Sequence, residues 1–228
     1  ITDEGAIDAI IEKIMGHHAS IIETIKNGDT KPIGFLMGQI MKATSGRAEP
    51  QITQKLLHKK ISRQLLSLVS FSGAITGRIN KEGRIEPGNL EDIKNNLQNI
   101  TIPENIVIEV HQFGKILSEE IIPSDWSELI HYIIKKYNSG NCSGIVIGHG
   151  TDTLSYTASL LYWLFGKTMP IVLTASFQPH GAGNEAAENL QNAIKLASAS
   201  EPGVYVSVGD ESFFPLNLRY EKATGPSP

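Results

Sequence analysis

One cysteine, two tryptophans and a net charge of −4 over 228 residues describe this chain first by what it lacks. The lone Cys142 excludes an internal disulfide framework and fits a reducing cytosol. No second His or Cys stands at metal-ligand spacing from His149, so neither a zinc site nor another cofactor is expected, and His17, His18 and His58 read as surface residues. The apolar runs, of which residues 158–165 are one, fall far short of the roughly 20 residues that span a bilayer. With no signal peptide visible, a cytoplasmic location and no membrane partner are expected. The small net charge argues against a protein that binds nucleic acid over its whole surface. A 40% hydrophobic, 19% charged composition has enough apolar surface to bury a core.

What is present comes in two rhythms. Residues 1–61 read as helices only. Ile7, Ile10, Ile11, Ile14 and Met15 recur at helical spacing. A second short helix carries Ile21, Ile22 and Ile25 and stops at Asn27-Gly28. A third runs from Pro32 to about Thr44, with Ser45-Gly46 as its stop, and a fourth starts near Pro50. From residue 62 the chain alternates apolar runs (65–70, 106–110, 144–147, 171–174, 204–208) with amphipathic stretches (90–97, 124–137, 154–165, 185–198). That order predicts an α/β domain over 62–228: an open parallel sheet with right-handed crossovers and helices on both faces, preceded by a small all-α bundle.

Charge is asymmetric within the helical part. Residues 31–63 hold Lys31, Lys42, Arg47, Lys55, Lys59, Lys60 and Arg63 against the single acid Glu49. Lys42, Thr44 and Arg47 gather at a helix end beside turn amides, which suits a phosphate, although a solvated basic face is the plainer reading. Gly34 and Gly38, one helical turn apart, would admit close approach of a neighbouring backbone. The run Gly34-Phe35-Leu36-Met37-Gly38-Gln39-Ile40-Met41-Lys42-Ala43-Thr44-Ser45-Gly46, closed by Leu56-Leu57, resembles the GatB/YqeY tail domain of tRNA-dependent amidotransferases. The resemblance covers residues 1 to 61. It implies tRNA binding by Lys42 and Arg47 and a partner amidotransferase subunit, with contacts that position rather than specify.

The second part carries its chemistry at strand ends. His149-Gly150-Thr151-Asp152-Thr153 follows the apolar run of residues 144–148, where α/β sheets bind ligands. Thr and Asp there also serve as helix caps. Ser72 stands at the end of the first run, in Ser70-Phe71-Ser72-Gly73-Ala74-Ile75-Thr76-Gly77, where a hydroxyl on a tight turn can be a nucleophile. Together the strings resemble the HGTDT and TGGTIA signatures of asparaginase-like amidohydrolases. Ser118-Glu119, with Pro123 and Trp126 downstream, is similar to the GatD-type subunits of archaeal glutamyl-tRNA(Gln) amidotransferases.

The resemblance implies catalytic roles for Ser72, as attacking hydroxyl, and for Thr151, Asp152 and Lys222. It implies substrate contacts from Ser118, Glu119 and Asp152, and subunits that pair as a homo-oligomer. Asn80 falls where the family has a loop tyrosine, and Glu185 replaces an aspartate in the Asn184-Glu185 string. The expected activity is release of ammonia from asparagine or glutamine within a glutamyl-tRNA(Gln) amidotransferase-like system. The alternatives are a non-catalytic scaffold with a tRNA-binding tail, or a free cytosolic asparaginase.

Overall fold

Apolar runs bounded by turn residues become strands, and 3.6-residue periodicity becomes helices, in a computed structural model that describes residues 4–26, 29, 31–61, 64–73, 75, 77–86, 88–114, 116–179 and 183–218. The chain divides into two compact units, Ile1–Arg63 and Gln64–Pro228.

The first unit holds α1 (Glu4–His17), α2 (Ala19–Lys26), α3 (Ile33–Ala43) and α4 (Pro50–Ile61). Ile7, Ile11, Leu36, Ile40 and Leu57 are fully buried at its centre. Glu49, the one acid of the basic stretch, opens α4: its carboxylate accepts from the backbone N–H of Ile52 (2.7 Å) and Gln51 (3.2 Å). Lys60 leaves the basic surface, because its ammonium binds Asp8 (2.9 Å) and Glu12 (2.6 Å) of α1. Burial alone would lower the Lys60 pKa, but the bonds and charges of Glu12 and Asp8 outweigh it and hold the pKa above the usual lysine value.

Two observations on this unit favour the plainer reading of its glycines and basic residues. Among the described residues nothing comes within 4 Å of a Cβ placed on Gly34 or Gly38, so no neighbouring backbone uses the space. The turn amides beside Lys42 are also occupied. Ser45, Gly46 and Arg47 donate to the carbonyls of Lys42, Met41 and Thr44, and the buried Thr44 hydroxyl is shared between the carbonyls of Ile40 and Met41. This is moreover the carboxyl end of α3, whose dipole disfavours a phosphate. The amides of Ser45, Gly46 and Arg47 are therefore not free to hold an anion.

The second unit contains β1 (Gln64–Ser70), the short β2 (Arg78–Ile79) and β3 (Ile85–Glu86), α5 (Leu90–Gln98), β4 (Ile106–Gln112), α6 (Pro123–Asn138), β5 (Gly144–His149), α7 (Leu154–Phe165), β6 (Pro170–Ala175), α8 (Glu185–Ala199), β7 (Gly203–Val208) and β8 (Glu211–Phe213). The sheet order is β4-β1-β5-β6-β7-β8, parallel throughout except for the antiparallel β7–β8 pair. Ile145 and Ile147 face α6 and α7, while Val146 faces α5 and α8, so both faces of the sheet are covered as expected. α6 starts at Pro123, and the carboxylate of Asp125 in its first turn reaches back to accept from the N–H of Ile122 (2.8 Å).

One crossover departs from the expected hand. From β4 to β5 and from β5 to β6 the chain moves in one direction across the sheet by way of α6 and α7. From β6 to β7 it moves in that same direction by way of α8, on the opposite face. That last connection therefore has the opposite hand to the other two, against the strong right-handed rule. The buried Asn189 of α8 secures it, donating to the carbonyl of Ala175 and accepting from the N–H of Gly209, both at 2.8 Å.

After β1 the chain leaves toward β4 on one side, and every later parallel strand adds on the other. The carboxyl ends of β1 and β5 are thus the point where strand order reverses. The two turns meet there. Gly73 has φ +82°, and a Cβ on it would overlap the Gly150 backbone. Gly73→Ala therefore combines left-handed backbone strain with a backbone clash. It is expected to destabilise the protein by about 2–4 kcal/mol in urea unfolding. A loss near zero would contradict this contact.

Candidate active site

Each turn at the switch point is fixed by backbone bonds before any side chain acts. Phe71 and Ser72 both donate N–H to the carbonyl of Gly148, at 3.0 and 3.3 Å, and Gly73 donates to Ile116 at 3.4 Å. The turn after β1 is thereby tied to the turn after β5 and to the segment that follows β4. Gly150 donates its own N–H to Ser72 Oγ (3.2 Å). Across the gap Ser118 Oγ donates to the Asp152 carboxylate (2.8 Å), and Thr153 Oγ1 donates to the Ser118 carbonyl (2.9 Å).

These bonds enclose a cavity of about 190 Å³, whose wall includes Gly73, Ser118, Glu119, Gly150, Thr151 and Asp152. Four residues singled out in the sequence, Ser118, Glu119, Thr151 and Asp152, are brought together there. Ser72 is not on that wall. It is buried (4% exposed), with Gly73 taking its place at the surface of the cavity, and its hydroxyl is turned to the Gly150 amide. Three hydroxyl-bearing residues do line the wall, although Ser118 and Ser176 are themselves buried. Ser118 is engaged by Asp152, Ser176 donates to the Gln178 carbonyl (2.7 Å), and Thr151 has no hydrogen-bond partner among the described residues. Lys222 lies outside the described residues.

Asn80 has a local task. Its side-chain oxygen accepts from the N–H of Glu82 (2.9 Å) and Arg84 (3.0 Å), which builds the turn of the β2–β3 hairpin. Glu185 likewise receives the N–H groups of Phe177 and Gln178 and holds the loop after β6.

Sequence reasoning missed two features. An apolar cavity, also of about 190 Å³, adjoins the first and shares Thr151 and Phe177 with it; Leu154, Val208, Phe213 and Leu218 complete most of its lining. These residues come from three elements and a loop, so no local pattern announces them. The second feature is a buried polar chain. His149 is fully buried and bonds the Gly150 carbonyl through Nδ1 and Thr157 Oγ1 through Nε2, both at 2.8 Å. Thr157 Oγ1 in turn accepts from Trp126 Nε1 (2.8 Å). The sequence signal was a histidine ending an otherwise apolar strand, which has to find polar partners indoors. Among the described residues no group of His, Cys, Asp and Glu could hold a metal ion, and no helix is long and apolar enough to cross a membrane.

Burial pushes the His149 pKa down to about 4 from an ordinary 6.5, opposed by the bond to the Gly150 carbonyl. Between those values the unfolded chain accepts a proton that the folded chain refuses. The contribution is therefore intact above pH 6.5 and lost as pH falls toward about 4, a span of about 3 kcal/mol. Over that window the urea midpoint of the wild type should fall more steeply than that of His149→Gln. Equal slopes would show that His149 does not titrate in this way.

Comparison with known proteins bears on the fold and the family. Residues 65–225 match the family described as Asparaginase, N-terminal, and residues 1–61 match the GatB domain. The D-type chain of the glutamyl-tRNA(Gln) amidotransferase of Methanosphaera stadtmanae is 31% identical over 185 residues, which is 79% of this chain and 41% of that protein. The B-type chain of the aspartyl/glutamyl-tRNA(Asn/Gln) amidotransferase of Lysinibacillus sphaericus is 48% identical over 64 residues, 28% of this chain and 14% of its own length. Among solved structures, the thermostable L-asparaginase from Thermococcus kodakarensis superposes with a TM-score of 0.58 at 30% identity, covering 67% of this chain and 46% of that one. The chain thus spans less than half the length of each of these relatives. With 65–225 matched, the chain belongs to the asparaginase family, and a GatB-type segment precedes the family's N-terminal domain.

Proposed function

We propose that this chain is an amidohydrolase that releases ammonia from the side-chain amide of asparagine or glutamine, within a glutamyl-tRNA(Gln) amidotransferase-like system. The observation that carries the reading is the convergence of Ser118, Glu119, Thr151 and Asp152 on one cavity at the switch point of an asparaginase-family sheet. The Asp152 carboxylate suits the substrate's α-ammonium, and the Ser118–Glu119 turn suits its α-carboxylate. A hydroxyl attacks the amide carbonyl and its proton passes to the departing nitrogen. The C–N bond breaks to release ammonia, and water then hydrolyses the ester. Turn amides stabilise the oxyanion, an effect of roughly 3–4 kcal/mol per donor in well-studied enzymes. Lys222 is the base of this scheme.

The burial of Ser72 favours a second reading of the attacking group. Ser72 Oγ would need the Gly73 turn to open before it met a substrate, whereas Thr151 is half-buried and is one of the residues that line the cavity. On this reading Ser72 anchors the Gly150 amide and Thr151 attacks. The helical unit supplies tRNA contact through Lys42 and Arg47, beside a partner amidotransferase subunit, and the protein works as a homo-oligomer.

Ammonia release from glutamine and asparagine tests the proposal, measured with and without tRNA. Thr151→Ala and Asp152→Asn are expected to lose at least about 100-fold in kcat/KM. Ser72→Ala should lose only about tenfold, the cost of a loosened turn. Stimulation by tRNA should weaken in the Lys42→Glu, Arg47→Glu double variant. Equal activity in wild type and all active-site variants would refute the hydrolase, and no activity in a folded wild type would leave a binding scaffold. A covalent adduct trapped on Ser72 would restore it as the nucleophile.

A further inference from the structure

The polar chain behind the cavity has a direction that elementary chemistry dictates. An indole N–H can only donate, so Thr157 Oγ1 accepts from Trp126. A carbonyl can only accept, so His149 Nδ1 carries the proton given to Gly150 O. In a neutral ring Nε2 is then an acceptor, and the one remaining proton, on the Thr157 hydroxyl, is donated to it. Every donor finds an acceptor, in the order Trp126, Thr157, His149, Gly150. The links join three elements: Trp126 lies in α6, Thr157 in α7 and His149 at the end of β5. His149 and Thr157 are both fully buried, and Phe71 packs against the imidazole with ring centroids 5.4 Å apart.

The terminus of this chain is a peptide group of the site itself. In a trans peptide the carbonyl of Gly150 and the N–H of Thr151 point to opposite sides. A ring that holds Gly150 O on the buried side therefore directs Thr151 N–H away from the core, on a segment where both residues line the cavity. That N–H has no hydrogen-bond partner among the described residues. The Gly150 amide on the other flank is held by Ser72 Oγ. Gly150 is thus held through both peptide groups that flank it, the preceding one by Ser72 and the following one by His149, and the Thr151 N–H is left without a partner among the described residues.

We infer that Trp126, Thr157 and His149 are positioning residues for amide hydrolysis: together they fix the Gly150–Thr151 peptide so that the Thr151 N–H is presented to the substrate carbonyl. The inference rests on the hydrolase reading for its consequence, but not for its geometry. Burial, which keeps the ring neutral down to about pH 4, preserves the polarity of the chain at working pH. None of the three residues is among those lining the cavity. Their effect is therefore on transition-state alignment and not on the binding of the amino-acid moiety by Ser118 and Asp152.

The test uses the full chain and two independent readouts on Thr157→Val, Thr157→Ser, His149→Asn and His149→Gln. The first is NMR of the His149 ring nitrogens and of the Thr151 amide. Wild type should show the neutral Nδ1–H tautomer at neutral pH. Thr157→Val, which keeps shape but removes the donor, should mix the tautomers and move the Thr151 amide signal, and Thr157→Ser should restore both. The second readout is glutamine and asparagine hydrolysis. Thr157→Val should lower kcat about 10- to 100-fold with KM within about twofold. His149→Asn, which can still donate to Gly150 O, should retain more activity than His149→Gln. An Nε2–H tautomer in the wild type, or an unmoved Thr151 amide in Thr157→Val, overturns the inference whether or not the protein hydrolyses anything. The expected NMR signature without hydrolysis in wild type would instead refute the hydrolase reading and leave the clamp in place.

Discussion

Two backbones meet where no side chain could stand between them. Gly73, at the end of β1, and Gly150, at the end of β5, approach so closely that a Cβ on Gly73 would overlap Gly150, and one on Gly150 would overlap Ser118. The contact exists because strand order reverses between β1 and β5, leaving their turns adjacent without a crossover helix between them. Once the turns touch, Gly150 N–H reaches Ser72, Ser118 reaches Asp152, and the cavity wall is set. The site is a consequence of backbone proximity, and the polar side chains are arranged upon it.

The same proximity divides the hydroxyls into two roles. Those drawn inward, Ser72 and Thr157, serve the backbone and the buried ring. Ser118, Ser176 and Thr151 belong to residues that line the cavity, and of these three hydroxyls that of Thr151 is the one without a hydrogen-bond partner among the described residues. Buried polar groups are costly unless paired, so the inward set forms a closed network that rigidifies the turn. A rigid turn suits the proposed reaction, since misplacement of a reacting group by about 1 Å can cost on the order of 100-fold in rate.

Much of the architecture was legible because it is carried by long, periodic segments. The five parallel strands and their helices follow from apolar runs such as 144–147 and from helical spacing such as that of Leu154, Leu161 and Phe165. The β2–β3 hairpin was not legible, since strands of two residues have no period to detect and Asn80 sets the turn through its side chain. Nor was the hand of the β6–β7 crossover, which depends on the face that α8 chooses and on Asn189 bridging two strand ends. At the site, Thr151, Asp152, Ser118 and Glu119 could be named from local strings. The burial of Ser72 could not, because it arises from Gly148 and Gly150, far along the chain. Lys60 reads as part of a basic surface until α1 brings Asp8 and Glu12 against it.

In the proposed function these turns form a receptor for an amino acid bearing a side-chain amide, with Asp152 gripping the α-ammonium. Calorimetric titration of the full chain with L-aspartate and L-glutamate, the products of the proposed reaction, tests it most directly when run beside succinate, which lacks the amine. At least one of the two amino acids is expected to bind, succinate is not, and Asp152→Asn is expected to abolish binding while leaving the fold intact. Succinate binding as tightly as L-aspartate, or unchanged amino-acid affinity in Asp152→Asn, would contradict it.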